Sequence, residues 1–279
     1  MYILGILELM LDTSFLNENF LLGNLHRFLE GQAMALSIFI SLLCFIYYKA
    51  TKNIAIITIG LSFLFGVILN LFHVFVSAEL INTINDPLVT GQFLLLSSKT
   101  LSASTLLVVL IVMLRKPQLQ KKIRFLISIS IPALIATTSL IIFSIGNSNL
   151  PQMNFINQEL HTPYELIPAA LHTINAIILA IIIALQKNRS YFIQSLFLST
   201  VPNIWAQIIL AFELDPTTDT NALLDHGLSF ISYSIILIGL SIDYIKSFHN
   251  ENDARSKIEN ILQGLSVSLE AYLSRINTT

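Results

Sequence analysis

The distribution of apolar residues along the chain predicts seven hydrophobic helices joined by polar connections. Each run is long enough to cross a bilayer as a helix, which takes about 20 residues. None of the runs alternates with the two-residue period of a half-buried strand. The runs are Leu22–Tyr48, Ile54–Ala78, Leu88–Leu114, Phe125–Ile145, Tyr164–Leu185, Tyr191–Phe212 and Ala222–Tyr244. The pattern therefore predicts an all-α integral membrane protein with seven transmembrane helices.

The composition of the chain supports the same class. Of its 279 residues, 54% are hydrophobic and 11% are charged, whereas about 25% of an ordinary soluble domain is charged. We expect the lipid bilayer, and no nucleic acid, as a partner. The net charge of -2 hides an uneven distribution of the charged residues. The lone cysteine, Cys44, lies inside a hydrophobic run, which excludes a disulfide framework and a cysteine-based metal site.

The basic residues are segregated among the connections. The connections after the second, fourth and sixth runs (residues 77–87, 146–163 and 213–221) contain no Lys or Arg. The other connections carry Lys49, Lys52, Arg115, Lys116, Lys121, Lys122, Arg124, Lys187 and Arg189. By the positive-inside rule the N-terminus lies outside and the C-terminus in the cytoplasm. We expect a multi-pass protein of the bacterial inner membrane, with an external or interfacial segment at residues 1–21 and a seven-helix sensor domain at 22–246.

The remaining residues, 247–279, predict a short cytoplasmic coiled-coil helix. Apolar residues recur there at spacings of four and three, which is the pattern of a heptad seam: Ile258, Leu262, Leu265, Leu269, Tyr272 and Ile276. We expect this seam to join two chains as a parallel homodimer. An amphipathic helix lying on the inner leaflet is the alternative. Any output domain is expected either in a longer protein of which this chain is a module or in a separate cytoplasmic partner.

Polar side chains within the predicted spans concentrate in the outer half of the membrane. Ionisable groups are costly there unless they are paired or hydrated, so they are candidates for function. We predict that they line one outer pocket for a small polar ligand or a metal; the set is His26, Glu30, Asn70, His73, Lys99, Glu165, His172, Gln207 and His226. Lys99 is expected to pair with Glu30 or Glu165. The fourth helix offers no comparable group, which predicts a peripheral, lipid-facing position.

Imidazole and carboxylate groups are suitable ligands for Zn, Cu or Fe. A transition-metal site formed by His26, Glu30, His73 and His172 is therefore a hypothesis, although no diagnostic ligand spacing is present. The competing explanation is structural, because a His near the headgroups is more often an interfacial group than a ligand. Lys99 can similarly extend its ammonium toward the membrane surface.

Three segments resemble the bacterial MASE3 membrane-associated sensor domains. They are His26–Glu30 with the apolar helix that follows, Phe63–His73, and Gln92–Leu107 with Lys99. The family usually has an Asp at the position of Asn70 and an Arg at that of Lys99. Such domains are N-terminal inputs of diguanylate cyclases and histidine kinases. The resemblance therefore implies a sensory role, with no catalytic activity in this chain.

Other seven-helix classes are less consistent with the sequence. A retinal protein needs a lysine in the middle of the seventh helix, and residues 229–241 contain none. A metal-dependent membrane hydrolase using the outer His and Glu residues is the alternative function, although His226 is the only histidine on the seventh helix. A transporter would need polar groups near the membrane midplane, and the sequence has few there.

Overall fold

Seven α-helices account for the described part of the chain. The structure is a computed structural model that describes residues 18–115, 123–148, 150, 166–185, 190–211 and 220–276. The helices are α1 (Glu18–Thr51), α2 (Ile54–Ser77), α3 (Pro87–Arg115), α4 (Ile123–Gly146), α5 (Leu166–Leu185), α6 (Tyr191–Ala211) and α7 (Thr220–Ile276). All seven are long and apolar enough to cross a membrane. The predicted all-α, multi-pass architecture is thus confirmed.

Six of the helices are neighbours in a closed cycle. α1 packs against α2 and α7, α3 packs against α2 and α5, and α6 packs against α5 and α7. α4 lies outside this cycle, against α2 and α3, and only 11% of its apolar segment is buried. The predicted peripheral position of the fourth helix is therefore confirmed.

α2 is the most deeply buried helix, with 72% of its apolar segment inside the protein. Small residues let its neighbours approach closely, as is common between membrane helices. On the α1 side, the Ser41 hydroxyl donates to the Gly60 carbonyl at 2.6 Å. On the α3 side, the Ser102 hydroxyl donates to the Ser62 carbonyl at 3.2 Å. These contacts fix the helix that carries His73.

The two ends of the helix bundle differ in what they carry. We call the end where α1, α3, α5 and α7 begin the site end, and the opposite end the stem end. α7 is one continuous helix of 57 residues, about 86 Å long at 1.5 Å per residue. It crosses the predicted boundary after Lys246 without a break and projects from the stem end. We call residues 247–276 the stem; the side chains of residues 248–267 are exposed.

The polar segment that starts the stem remains helical because it contains no helix breaker. Residues 250–255 include neither Gly nor Pro, and charged residues are tolerated on a solvated helix surface. An ion pair between Arg255 Nε and Glu259 Oε1, at 3.1 Å, spans one turn of this helix. The change to polar composition therefore does not end the helix.

Candidate functional site

Polar side chains from four helices meet in one buried group at the site end. We call this group the site cluster; it consists of His26, Glu30, His73, Lys99, Asp225 and His226. α1 contributes the first two residues, α2 and α3 one each, and α7 the last two. The structure thus brings together five of the sequence-predicted site residues and adds Asp225 to them.

The strongest contact in the site cluster joins α3 to α7. The Lys99 ammonium lies 2.5 Å and 2.6 Å from the two carboxylate oxygens of Asp225. The side chains are 13% and 1% exposed, so both charges are removed from solvent and compensate each other. The expected pairing of Lys99 with Glu30 or Glu165 is corrected here, since Asp225 holds both hydrogen bonds. Glu165 lies outside the described residues.

A second contact joins α1 to α2. His73 Nε2 lies 3.3 Å from Glu30 Oε1, and His73 Nδ1 lies 2.7 Å from the backbone carbonyl oxygen of Gly91. A carbonyl oxygen only accepts hydrogen bonds, so Nδ1 carries the proton and donates it to Gly91. In the neutral imidazole, Nε2 is then unprotonated, and its lone pair faces the Glu30 carboxylate. The tautomer follows from this hydrogen-bond pattern.

Gly91 allows this contact by having no side chain. An added Cβ at that position would lie 3.2 Å from His73 Nδ1 and 2.6 Å from the Ser77 hydroxyl oxygen. The close approach of α2 and α3 at Gly91 therefore sets the orientation of the His73 ring.

The third contact joins α1 to α7. The rings of His26 and His226 meet edge to face, with centroids 4.5 Å apart and planes at 82°. His226 Nδ1 also lies 3.8 Å from Asp225 Oδ2. Together with Glu30, these two histidines offer three ligand atoms that all lie within 4.8 Å of one another. The arrangement can bind a cation or a small polar molecule between α1 and α7.

A small cavity with both polar and apolar walls extends from Lys99 toward the interior of the bundle. Its volume is about 40 Å³, enough for two or three water molecules, since one needs roughly 10–15 Å³. Serine, threonine and amide side chains supply much of the wall, among them Ser102, Ser199, Asn203 and Gln207. His172 also lines this cavity, so the structure places it below the site cluster and not within the group of converging ligand atoms.

Asn70 takes no described part in the site cluster, although it lies one turn before His73. Its Oδ1 is buried and has no hydrogen-bond partner among the described residues. Asp225 is the residue that the sequence-based site prediction omitted. The available signal was an acidic residue beside His226 in the first apolar turns of the seventh helix, where a charge needs a partner.

Comparison with known families gives one match, and it covers most of the chain. The model of the MASE3 family, described as a membrane-associated sensor domain, matches residues 17–247. Comparisons with curated proteins and with solved structures returned no match. The matched region contains all seven membrane spans up to the start of the stem and every residue of the site cluster. The chain therefore belongs to the MASE3 family of membrane-associated sensor domains.

Proposed function

We propose that the chain detects its stimulus at the site cluster and transmits the signal through α7 to a cytoplasmic output domain or partner. The observation that carries this proposal is the continuity of α7. The helix holds Asp225 and His226 at its site end and the exposed apolar positions of the stem at the other, with no break between them. A displacement of the first turns of α7 is therefore expected to move the stem as part of one rigid element.

A stimulus shifts this helix only if it binds one position of α7 more tightly than another. The site cluster meets that requirement because its side chains come from α7 and from three other helices, α1, α2 and α3. A small polar ligand or a metal bound between His26 and His226 would favour the position in which α1 and α7 are closest. The outer location, the bacterial inner membrane and the cytoplasmic stem are parts of the same proposal.

The stem offers an apolar surface for a second copy of the chain. Ile258, Leu262 and Leu265 are 58%, 60% and 62% exposed, respectively. They occupy successive a and d positions of the heptad pattern, in which two helices pack side by side. We propose that the stems of two chains form a parallel coiled coil and that the positions of the two α7 helices are coupled there.

Disulfide cross-linking of the stem tests both the dimer and its coupling to the site. In a Cys44→Ser background, Leu262→Cys is expected to cross-link in membranes at least about tenfold faster than Asn260→Cys, which lies off the seam. Adding His226→Ala removes a side chain that α7 contributes to the site cluster. We expect this change to alter the Leu262→Cys cross-linking rate several-fold, as measured by non-reducing gel electrophoresis over time.

Equal cross-linking rates at positions 260 and 262 would contradict the coiled-coil dimer. A rate at position 262 that is the same with and without His226→Ala would contradict coupling between the site and the stem. Ile231→Ala is a matched control, because its side chain is an exposed apolar group on α7 away from the site cluster. It should leave the rate unchanged.

The orientation of the chain is tested by two serine-to-cysteine variants. Ser148, after α4, and Ser256, on the stem, are both exposed. In a Cys44→Ser background, Ser148→Cys should react with a membrane-impermeant thiol reagent on intact cells. Ser256→Cys should react only after lysis, because the segregation of Lys and Arg places the stem inside. The reverse result would place the site cluster at the cytoplasmic face.

A further inference from the structure

We infer that the site cluster binds one divalent transition-metal ion through His26, Glu30, His73 and His226. This inference rests on the proposed function and deepens it by giving the chemical class of the ligand. It replaces His172 with His226 in the hypothetical metal site, because His172 lines the cavity below and His226 shares the group of converging ligand atoms.

The first support is the arrangement of His73. Its Nδ1 is committed to the Gly91 carbonyl at 2.7 Å. A hydrogen bond from one ring nitrogen to a backbone carbonyl is the usual way in which a protein orients a metal-binding imidazole and leaves the other nitrogen as the ligand. Nε2 is the nitrogen that remains available as a ligand, and it lies 3.3 Å from Glu30 Oε1. Both atoms are electron-pair donors, so a cation between them is favourable.

The second support is Glu30 itself. This residue is only 6% exposed, and its Oε1 has no hydrogen-bond partner among the described residues. An ion-pair distance to His73 exists, but the imidazole does not direct an N–H at this oxygen in the tautomer that Gly91 fixes. A buried carboxylate oxygen without a donor carries a substantial desolvation cost, which a metal ion would remove.

The charge of the site cluster favours the same conclusion. It contains two carboxylates, Glu30 and Asp225, and one ammonium, Lys99, which is held by both oxygens of Asp225. If the histidines are neutral, Glu30 supplies a negative charge with no cation assigned to it. A divalent ion bound by Glu30 and three imidazoles would compensate that charge, while Asp225 would remain 3.8 Å from His226 Nδ1 as an outer partner.

The donor set determines which metals fit. Three imidazoles and one carboxylate suit Zn²⁺ and its transition-metal neighbours, whereas Mg²⁺ and Ca²⁺ prefer all-oxygen sites. Four protein ligands fill a tetrahedral zinc site and leave no position for the water that a catalytic zinc needs. This set therefore favours sensing over the metal-dependent hydrolase considered from the sequence.

Binding would also move the helices. The converging atoms of His26, Glu30 and His226 all lie within 4.8 Å of one another. In a tetrahedral site with bonds of about 2.0–2.1 Å, ligand atoms lie only about 3.3 Å from one another. Any pair of these atoms that lies further apart is drawn together on binding. Because His226 lies on α7 and the other two residues lie on α1, we expect the start of α7 to move toward α1.

Metal titration of the purified full chain tests the inference. After treatment with a chelator and its removal, the protein in lipid nanodiscs should bind one Zn²⁺ per chain with a dissociation constant at or below the micromolar range. Co²⁺ alone should give the intense visible absorption of a four-coordinate site. His73→Ala and Glu30→Gln should each weaken Zn²⁺ binding at least about tenfold. His172→Ala and the stem variant His249→Ala should change it less than twofold.

The titration of the parent protein tests the inference even if a variant fails to fold. A parent protein that binds neither Zn²⁺ nor Co²⁺ overturns it, as does a loss of Zn²⁺ binding in His172→Ala equal to that in His73→Ala. The proposed function is judged separately by stem cross-linking. Cross-linking that responds to His226→Ala in a protein that binds no metal would retain the sensor and overturn the metal site. Metal binding in a protein whose cross-linking does not respond to His226→Ala would retain the metal site and overturn the proposed signalling.

Discussion

Replacing Lys99 with methionine is expected to destabilise the protein by about 3–5 kcal/mol, the cost of removing one partner of a buried ion pair. Lys99 supplies both close contacts to the Asp225 carboxylate, whose side chain is only 1% exposed. Methionine is flexible enough to occupy the space of the lysine stem, so the main loss is the charge. The carboxylate would remain buried without its ammonium partner, with His226 Nδ1 at 3.8 Å.

The measurement is the fraction of protein that stays monodisperse after heating in mild detergent, compared with the parent chain. Asp225→Asn should be less damaging than Lys99→Met, because the long lysine side chain can move its ammonium toward water. The double variant Lys99→Met with Asp225→Leu leaves neither charge of the pair behind and should recover most of the stability of the parent. Simple addition of the two single effects would contradict a direct pairing of Lys99 with Asp225.

The double variant also separates stability from signalling. If the ion pair only supports folding, the cross-linking response of the stem should survive in the charge-free protein. If the pair holds α7 in one of its two positions, that response should be altered in a protein that is otherwise well folded.

The sequence predicted the spans well because hydrophobicity and length are properties of each helix alone. The seven described helices follow the predicted runs in order. The peripheral position of α4 was also predictable, since that helix lacks buried ionisable groups. The continuity of α7 was not predicted, because the seventh hydrophobic run and the helix at 247–279 were treated as separate segments.

The pairings in the site could not be predicted in the same way. Helical spacing relates residues within a helix, such as His26 and Glu30, but contains no information about which helix is the neighbour. The order of packing around the cycle brings α7 beside α1, which is why Asp225 and His226 reach the site cluster. The choice of Asp225 over Glu30 as the partner of Lys99 depends on that order and on side-chain reach.

At the stem end, adding a side chain at Gly239 is expected to have the second large effect. An ideal Cβ there would overlap the side chain of Ser195 and lie 2.7 Å from the Tyr191 carbonyl oxygen. A substitution by glycine can remove the Ser195 side chain. The Tyr191 carbonyl oxygen belongs to the α6 backbone, however, and can move away only if α6 and α7 separate. Gly239→Val should therefore cost about 1–3 kcal/mol or more, the usual range for overpacking. Thermal stability in detergent provides the measurement.

The reason for this close contact lies one turn further along α7. Asp243 is buried, and its carboxylate accepts hydrogen bonds from the Ser190 hydroxyl at 2.6 Å and from the backbone N–H groups of Tyr191 and Phe192 at 3.1 Å and 3.0 Å. These N–H groups begin α6, where a helix has unsatisfied donors and favours negative charge. Separating the helices at Gly239 would weaken this cap as well, which adds to the cost of the larger side chain.

Two variants give the matched comparison. Gly31→Ala adds a methyl group on α1 where an added Cβ has no atom within 4 Å, so it should not lower stability. Ser195→Gly combined with Gly239→Ala should be more stable than Gly239→Ala alone, with the contact to the Tyr191 carbonyl oxygen remaining as the residual cost. Equal stability of Gly239→Val and the parent would contradict the close packing of α6 and α7.

If the packing is as described, the stem end of α7 is fixed to α6, and a shift of His226 at the site end pivots the helix about Gly239 and Asp243. Gly239→Ala should then reduce the response of stem cross-linking to changes in the site cluster even where the protein remains folded.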